Sequence, residues 1–363
     1  MLLKRLELTN FKIHNYLKLE FSEGLNYIVG DNGIGKTSIL DSIYYLGLTR
    51  NPYNITDNKF IQFNKEFFLI KGFFYSDNNS PENIEILYHN INGKKVCRNE
   101  KFYKRFSTHL GLIPMVFICP SDIYELVYNQ ENRRKLIDQI LSQQSSNYLN
   151  ALQNYQKLLQ QRNHLLKQQS LFGKDFSNML NAINTNIIPL NEEIYKYRTN
   201  LIADINKTIN NIFYSISNID VSVSIKYESN IELKNIENLF NDTLENDLRL
   251  THTTIGIHRD KLYFLFNNDD ISQIASQGQQ KLFIIALKLS LYQWLSIHYN
   301  EHAILLLDDI FDKLDKYRTH KLLEQLQNFN LTQIFITDTD ADKIANDKVN
   351  KLIVLRLCFF QFF

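Results

Sequence analysis

Apolar and polar residues alternate over the first 28 positions. Leu2, Leu6 and Leu8, then Leu17, Leu19 and Phe21, mark strands that feed a glycine-rich segment beginning at Gly30. The strand-like run 25–29 leads into that segment, and a helical pattern at 38–46 leads out of it. Residues 67–96 alternate again and predict further strands. Asn92-Gly93 predicts a two-residue hairpin turn between strands at 84–88 and 94–96.

The period changes near Pro120. From Asp122 to about Asn211 it is helical, with Leu136, Ile137, Ile140 and Leu141 on one stripe and Tyr148, Leu152, Tyr155 and Leu159 on the next. Pro189 predicts the start or a kink of a helix. Strand alternation returns at Val221, Val223, Ile225 and Tyr227 and again over 261–266. An amphipathic helix is expected over 282–295. The apolar run 303–307 reads as a buried strand, as does the first half of the tail 351–363. The final 359–363 carries no function that can be argued. No internal repeat is visible, and no heptad run is long enough for an extended coiled-coil arm.

At 363 residues the chain suits two domains, or one with a large insert, and its hydrophobic content of 44% is ample for a core. The net charge of +1 neither demands nor excludes nucleic acid, since local patches matter more. Cys97, Cys119 and Cys358 form no C-x-x-C pair and read as buried, reduced thiols of a cytoplasmic protein. The charged N-terminus has no signal-peptide core, and no run of about 18 apolar residues predicts a membrane span.

The chemistry concentrates at Gly30, Asp31, Asn32, Gly33, Ile34, Gly35, Lys36 and Thr37, which fit G-x-x-x-x-G-K-[ST]. Glycines let successive N–H groups turn inward onto phosphate oxygens, and the following helix adds its positive end. Lys36 would reach the β- and γ-phosphates of ATP, and the Thr37 hydroxyl would bind Mg2+. A Gly-Asn surface turn is the plainer reading, but the strand before and the helix after argue against it.

Such a loop needs a carboxylate at the end of a nearby buried strand. Asp308 and Asp309, after 303–307, are the candidates: Asp308 for the Mg2+ shell, Asp309 to orient or deprotonate the attacking water. A buried strand ending in a polar turn explains the leucines but not two adjacent acids. Lying so far apart in sequence, these parts imply a nucleotide-binding sheet split by the helical segment, the arrangement of ABC-type ATPase heads. Ser276, Gly278 and Gln279 resemble the S-x-G-Q core of the ABC signature. They would contact the γ-phosphate held by another subunit, or simply cap a helix. The expected architecture is therefore α/β: an ABC-type P-loop ATPase head split by an inserted α-helical lobe, without a long coiled coil. Its parts would be 1–118 and 216–363 for the ATPase lobe and 119–215 for the helical lobe.

In order along the chain, "FKIHNYLKLEF" at 11–21, "GDNGIGKTSILDSIYYL" at 30–46, "FICPSDIYELVYNQENRRKLIDQIL" at 117–141, "YQKLLQQRNHLLK" at 155–167, "GIHRDKLYF" at 256–264, "SQGQQK" at 276–281, "ILLLDDIFDKLD" at 304–315 and "QIFITDTD" at 333–340 resemble the RecF family of bacterial DNA replication and recombinational-repair ATPases. The resemblance implies binding to single-stranded DNA and gap junctions, an ATP-closed homodimer with slow, DNA-stimulated hydrolysis, and work with RecR and RecO in loading RecA during the SOS response. Asp309 stands where transporter-like ABC ATPases carry glutamate, and Thr337 or Asp338 stands where they carry a switch histidine. Ile257 and Lys261 depart from the family's G-P-H-R-D-D segment. Arg259 and Asp260 there could form a buried pair or touch DNA.

A polyanion needs clustered cations. Lys94, Lys95, Lys101, Lys104, Arg98 and Arg105, interleaved with Phe102, Tyr103 and Phe106, form one candidate surface, or else a solvated hairpin with core-facing aromatics. Arg133, Arg134 and Lys135 with Lys157, Arg162 and Lys167 form the other, and the sequence ranks neither first. An ATPase of transport or toxin and defence systems, or a nucleotide-responsive clamp without DNA, is the competing reading.

Overall fold

The computed structural model describes residues 1–53, 55–76, 80–173, 175–232, 236–299, 303–312, 314–329, 333–340 and 350–355. The N-terminal alternation becomes β1 (Leu2–Phe11) and β2 (His14–Glu20), antiparallel from Arg5↔Glu20 to Phe11↔His14. β3 (Gly24–Val29) delivers the glycine-rich loop to α1 (Lys36–Leu48). β4 (Phe67–Tyr75), β5 (Pro81–His89), β6 (Gly93–Arg98) and β7 (Lys101–Phe102) complete an antiparallel sheet of order β2-β1-β4-β5-β6-β7. The hairpin differs from expectation. β5 runs on to His89, which pairs with Gly93, so the turn is Asn90, Ile91 and Asn92 and Gly93 opens β6 at φ 70°.

β8 (Met115–Ile118) precedes four helices, α2 (Asp122–Tyr128), α3 (Gln130–Gln144), α4 (Ser146–Phe172) and α5 (Ser177–Ser217). Then come β9 (Val223–Glu228), α6 (Ile236–Asp242), α7 (Leu244–Leu250), β10 (Lys261–Phe266), β11 (Asp269–Asp270) and α8 (Ile271–Ile274). The chain continues through α9 (Gln277–His298), β12 (Ile304–Leu307), α10 (Lys316–Asn328), β13 (Gln333–Asp338) and β14 (Lys351–Val354).

Two compact units result. One comprises the described residues of 1–123, 211–219 and 276–363, and the other 124–210 and 220–275. The sequence pattern assigns 216–275 to the ATPase part. Residues 220–275 instead group with the helices, because β10 pairs with β9 and Gln130 and Arg133 of α3 hydrogen-bond to Leu262.

In the first unit, five parallel strands lie in the order β14-β3-β13-β12-β8. Register places Leu307 beside Ile118 and Ile336, and Asp338 beside Val29, so the carboxyl ends of β3, β13, β12 and β8 finish at one level. Helix α1 is buried almost all round. Its Ile39, Leu40, Ile43, Tyr45 and Leu46 pack in a core that takes Leu8, Ile70 and Ile86 from the antiparallel sheet and Phe117, Leu306 and Phe335 from the parallel one. A helix buried on nearly every side is what two covering sheets produce, and its buried polar residues, Asp41 among them, then need partners. The tail was expected to begin as a buried strand, but β14 is an edge strand. Among the described residues only β3 pairs with it, and its side chains alternate, Ile353 buried and Leu352 and Val354 exposed. Residues 359–363 and Cys358 lie outside the described residues.

In the second unit α4 and α5 run antiparallel. Tyr148 packs on Tyr197, and Arg162 donates to Asn184 at 2.9 Å. Pro189 sits inside the 41-residue α5 rather than starting a helix there. Buried Ile187 and Ile194 flank it and hold the helix through the missing hydrogen bond. β11, β10 and β9 form a small antiparallel sheet. Two of the unit's buried guanidiniums, those of Arg162 and Arg198, are held by carboxylates. Arg162 meets Asp247 at 2.6 Å and Thr253 at 2.7 Å, and Arg198 meets Asp138 at 2.9 Å and Asp260 at 3.0 Å. Arg162 is thus enclosed rather than offered to DNA. The partner of Asp260 is Arg198, with Tyr227 and Ser229 also donating to its carboxylate, whereas Arg259 reaches the Thr253 carbonyl. Pairing of this kind offsets the cost of burying the charges.

Candidate functional site

The parallel sheet gathers the candidate residues at its carboxyl edge, where ligands of open α/β sheets bind. The loop after β3 turns through Gly33 at φ 80° and Gly35 at φ 99°, a region open to glycine without strain. Gly35 caps α1 with no side-chain hydrogen bond to the helix end. The first-turn N–H groups of α1 therefore lack a side-chain cap of their own. Asp31, Asn32 and Gly33 are exposed, whereas Ile34 is buried. Lys36 is buried and folds back, its Nζ donating to the Gly30 carbonyl at 2.7 Å and the Asp31 carbonyl at 3.0 Å.

Thr37 is brought to the other half of the site. Its hydroxyl donates to Asp308 Oδ1 at 3.0 Å, although the two residues are 271 positions apart. The Thr337 hydroxyl donates to the same oxygen at 2.7 Å and accepts the Asp309 N–H at 3.0 Å. Thr337 follows Ile336, the β13 partner of Leu307, so the parallel register itself delivers this hydroxyl to the acids. Asp309 sits in a left-handed conformation, φ 43°, which aspartate tolerates better than most residues. Burial raises the Asp308 carboxyl above its ordinary range, against the opposing bonds from Thr337 and Thr37. Burial also raises Asp309, with the neighbouring Asp308 charge next and Lys36 opposing. Two adjacent, partly desolvated carboxyls form an edge that a cation would stabilise.

By sequence Thr337 stands only in place of a switch histidine, yet in the fold it holds both acids. Thr337→Val should lower stability by about 1–3 kcal/mol, because it strands the Asp309 N–H and leaves Asp308 Oδ1 with the Thr37 hydroxyl alone. A urea titration monitored by circular dichroism checks this. An unchanged midpoint would mean that the hydroxyl is not needed.

Residues behind the loop carry no sequence signal of their own. Lys12, in the β1–β2 turn, forms an ion pair with fully buried Asp41 of α1. His14 Nε2 lies 3.2 Å from the Gly35 carbonyl. "FKIHN" contributes to the family resemblance, but nothing in that string marks a partner for the lysine.

Ser276 and Gln279 form a reciprocal cap at the start of α9. The Ser276 hydroxyl accepts the Gln279 N–H at 3.3 Å, and the Gln279 side chain accepts the Ser276 N–H at 2.8 Å. Ser276 and Gly278 are exposed and Gln279 is half-buried, and a side chain at Gly278 would meet nothing closer than Ser276 Oγ at 4.0 Å, so this helix end is open.

The candidate cations divide. Lys94 binds Asp57 at 3.0 Å and the Thr49 carbonyl at 2.7 Å. Arg98 grips Glu82 through bonds of 2.9 and 2.8 Å. Lys95, Lys101, Lys104 and Arg105 are exposed beside exposed Phe102. Arg133 is buried among the Leu126, Val127 and Leu262 carbonyls with Phe264 below it, and Arg134 donates to the Asp260 carbonyl at 2.7 Å. Cys97 and Cys119 are free thiols, and burial pushes Cys119 up to about 12. No helix among the described residues is long and apolar enough to cross a membrane.

A protein-family profile described as an AAA domain matches residues 5–353. The DNA replication and repair protein RecF of Azobacteroides pseudotrichonymphae is 38% identical over 351 residues, 95% of this chain and 94% of its own. That of Flavobacterium johnsoniae is 36% identical over 343 residues, 94% of this chain and 95% of its own. A solved structure of the recombination mediator protein RecF with ATP, from the RecFOR pathway, superposes with a TM-score of 0.85. It is 29% identical and covers 93% of this chain and 92% of that one. An Smc head bound to a winged-helix domain of ScpA shares the fold alone, at a TM-score of 0.59 and 16% identity over 98% of this chain and 94% of that one. With its phosphate-loop strand and acid-bearing strand in one parallel sheet, the chain has an ABC-type ATPase head fold and belongs to the RecF family of DNA replication and repair proteins.

Proposed function

We propose that this chain binds ATP with Mg2+ in the loop 30–37 and uses the nucleotide to close a homodimer on DNA. The observation that supports the reading most is the Thr37–Asp308 hydrogen bond, which joins the two halves of a split site. Lys36 is released from the Gly30 and Asp31 carbonyls to the β- and γ-phosphates, which offer it charge as well as hydrogen bonds. Thr37 and Asp308 would hold Mg2+ through hard oxygens, and the ion would neutralise phosphate charge there. Asp309 orients the attacking water.

Ser276, Gly278 and Gln279 act on the γ-phosphate bound by the second copy. DNA runs over the exposed Lys95, Lys101, Lys104 and Arg105, with Phe102 offering a base-stacking face. Single strands and gap junctions, weak DNA-stimulated turnover, cooperation with RecR and RecO, support of RecA loading and the SOS response, and a cytoplasmic setting complete the proposal.

Ser276→Arg tests the composite site. The exchange removes a helix cap, a loss of about 1 kcal/mol, and fills the open helix end with a bulky cation. Titration with a fluorescent ATP analogue should give an affinity within about twofold of the parent, since this residue serves the neighbour's nucleotide. Sedimentation with ATP should show monomer only. A dimer as abundant as the parent's would remove this segment from the interface.

A further inference from the structure

Asp41 lies on α1 one turn beyond Thr37 and is fully buried, with the Tyr53 side chain also beside its carboxylate. Its Oδ2 accepts from Lys12 Nζ. The lysine is fixed twice over. Its backbone adopts φ 51° with the N–H donating to the Phe60 carbonyl at 2.8 Å, and its ammonium lies 4.7 Å from the centre of the Phe60 ring and 5.4 Å from that of Tyr53. The next two residues touch the phosphate loop. A Cβ at Gly35 would fall 2.7 Å from Ile13 Cδ1 and closer still to His14 Nε2, so the β1–β2 turn walls the loop where α1 begins. The Gln62 amide donates to the Ile13 carbonyl and steadies the same turn.

We propose that Lys12 and Asp41 are a positioning pair: their contact ties the β1–β2 turn to α1 and so sets the shape of the phosphate loop around Gly35 before any nucleotide arrives. The inference rests on the nucleotide reading above and deepens it. A lysine that acted on phosphate by itself would have no use for a buried carboxylate, whereas one that holds a wall in place needs a fixed partner. Asp41 is that partner, and its burial makes the tie unforgiving, because a carboxylate stripped of its cation has no water to turn to.

The test is a double-mutant cycle on the full chain, read by titration with a fluorescent ATP analogue in Mg2+. Lys12→Met, Asp41→Asn and the double variant should each weaken binding about tenfold, as expected for one charged hydrogen bond, with the losses not adding. Lys12→Arg should stay within about threefold of the parent, and turnover at saturating ATP should hold within about twofold in all variants, since the pair touches no reacting atom. Asp41→Asn binding with the parent's affinity would overturn the proposal and make Lys12 a direct phosphate contact. Hydrogen exchange on the nucleotide-free protein supplies a second readout that does not need Asp41→Asn to fold. Lys12→Met should speed exchange at residues 13–14 and 33–37, and unchanged exchange there would overturn the proposal as well. If the parent itself bound no nucleotide, the functional reading would fall while the exchange result would still judge the pair.

Discussion

Lys36→Ala is expected to lower ATP affinity about a hundredfold or more. In the structure the ammonium is bound to two loop carbonyls, Gly30 and Asp31, rather than to a carboxylate. Its neutral partners make it exchangeable: a triphosphate offers stronger acceptors at the same place. The same geometry predicts a small effect on the fold. Asp31 to Gly33 face solvent, so a carbonyl released by the substitution can be hydrated. Calorimetric titration with ATP and Mg2+, beside a thermal melt of the nucleotide-free variant, separates the two effects. Retained binding would show that the loop does not hold the phosphates through this lysine, whatever the motif suggests.

Asp309→Asn should keep ATP binding and abolish most hydrolysis, a fall of about 10²–10⁴ in turnover, the range for losing a positioned acid–base group. The substitution is nearly isosteric. Asparagine tolerates the left-handed backbone at φ 43°, and the N–H that donates to Thr337 belongs to the main chain, so the local frame survives. Only the charge goes. Removing it also relieves the repulsion that Asp308 and Asp309 exert on each other, so the triphosphate is held at least as well as before. With binding intact and hydrolysis stopped, the variant should accumulate as an ATP-bound dimer. Phosphate release measured beside sedimentation checks both halves. Parent-rate hydrolysis would reassign the water-orienting role to another group.

What the sequence displayed and what it hid follow one physical division. The phosphate loop was legible because its chemistry is local: glycines at fixed spacing, a strand before and a helix after. Asp308 and Asp309 were legible because five apolar residues ending in two acids suit the carboxyl edge of a parallel sheet and little else. The ABC-type architecture followed from the distance between them. Long-range pairing was not legible. Nothing around Arg162 or Arg198 announces that each is enclosed, since enclosure depends on Asp247, Asp138 and Asp260, carboxylates far along the chain. The basic surface shrank for the same reason, as Lys94 and Arg98 found Asp57 and Glu82. Residues 220–275 fell into the other unit because strand pairing between β9 and β10 leaves no local mark. Lys12 and Asp41 were unreadable too: a lysine in a turn and an aspartate in a helix look solvated until the fold buries one against the other.

Sedimentation velocity of the parent chain in Mg2+, with and without ATP, tests the central claim most directly. The account predicts monomer without nucleotide and a dimer once ATP is added, since the loop of one copy needs the Ser276 helix end of another. A chain that binds ATP yet sediments identically in both conditions would contradict it.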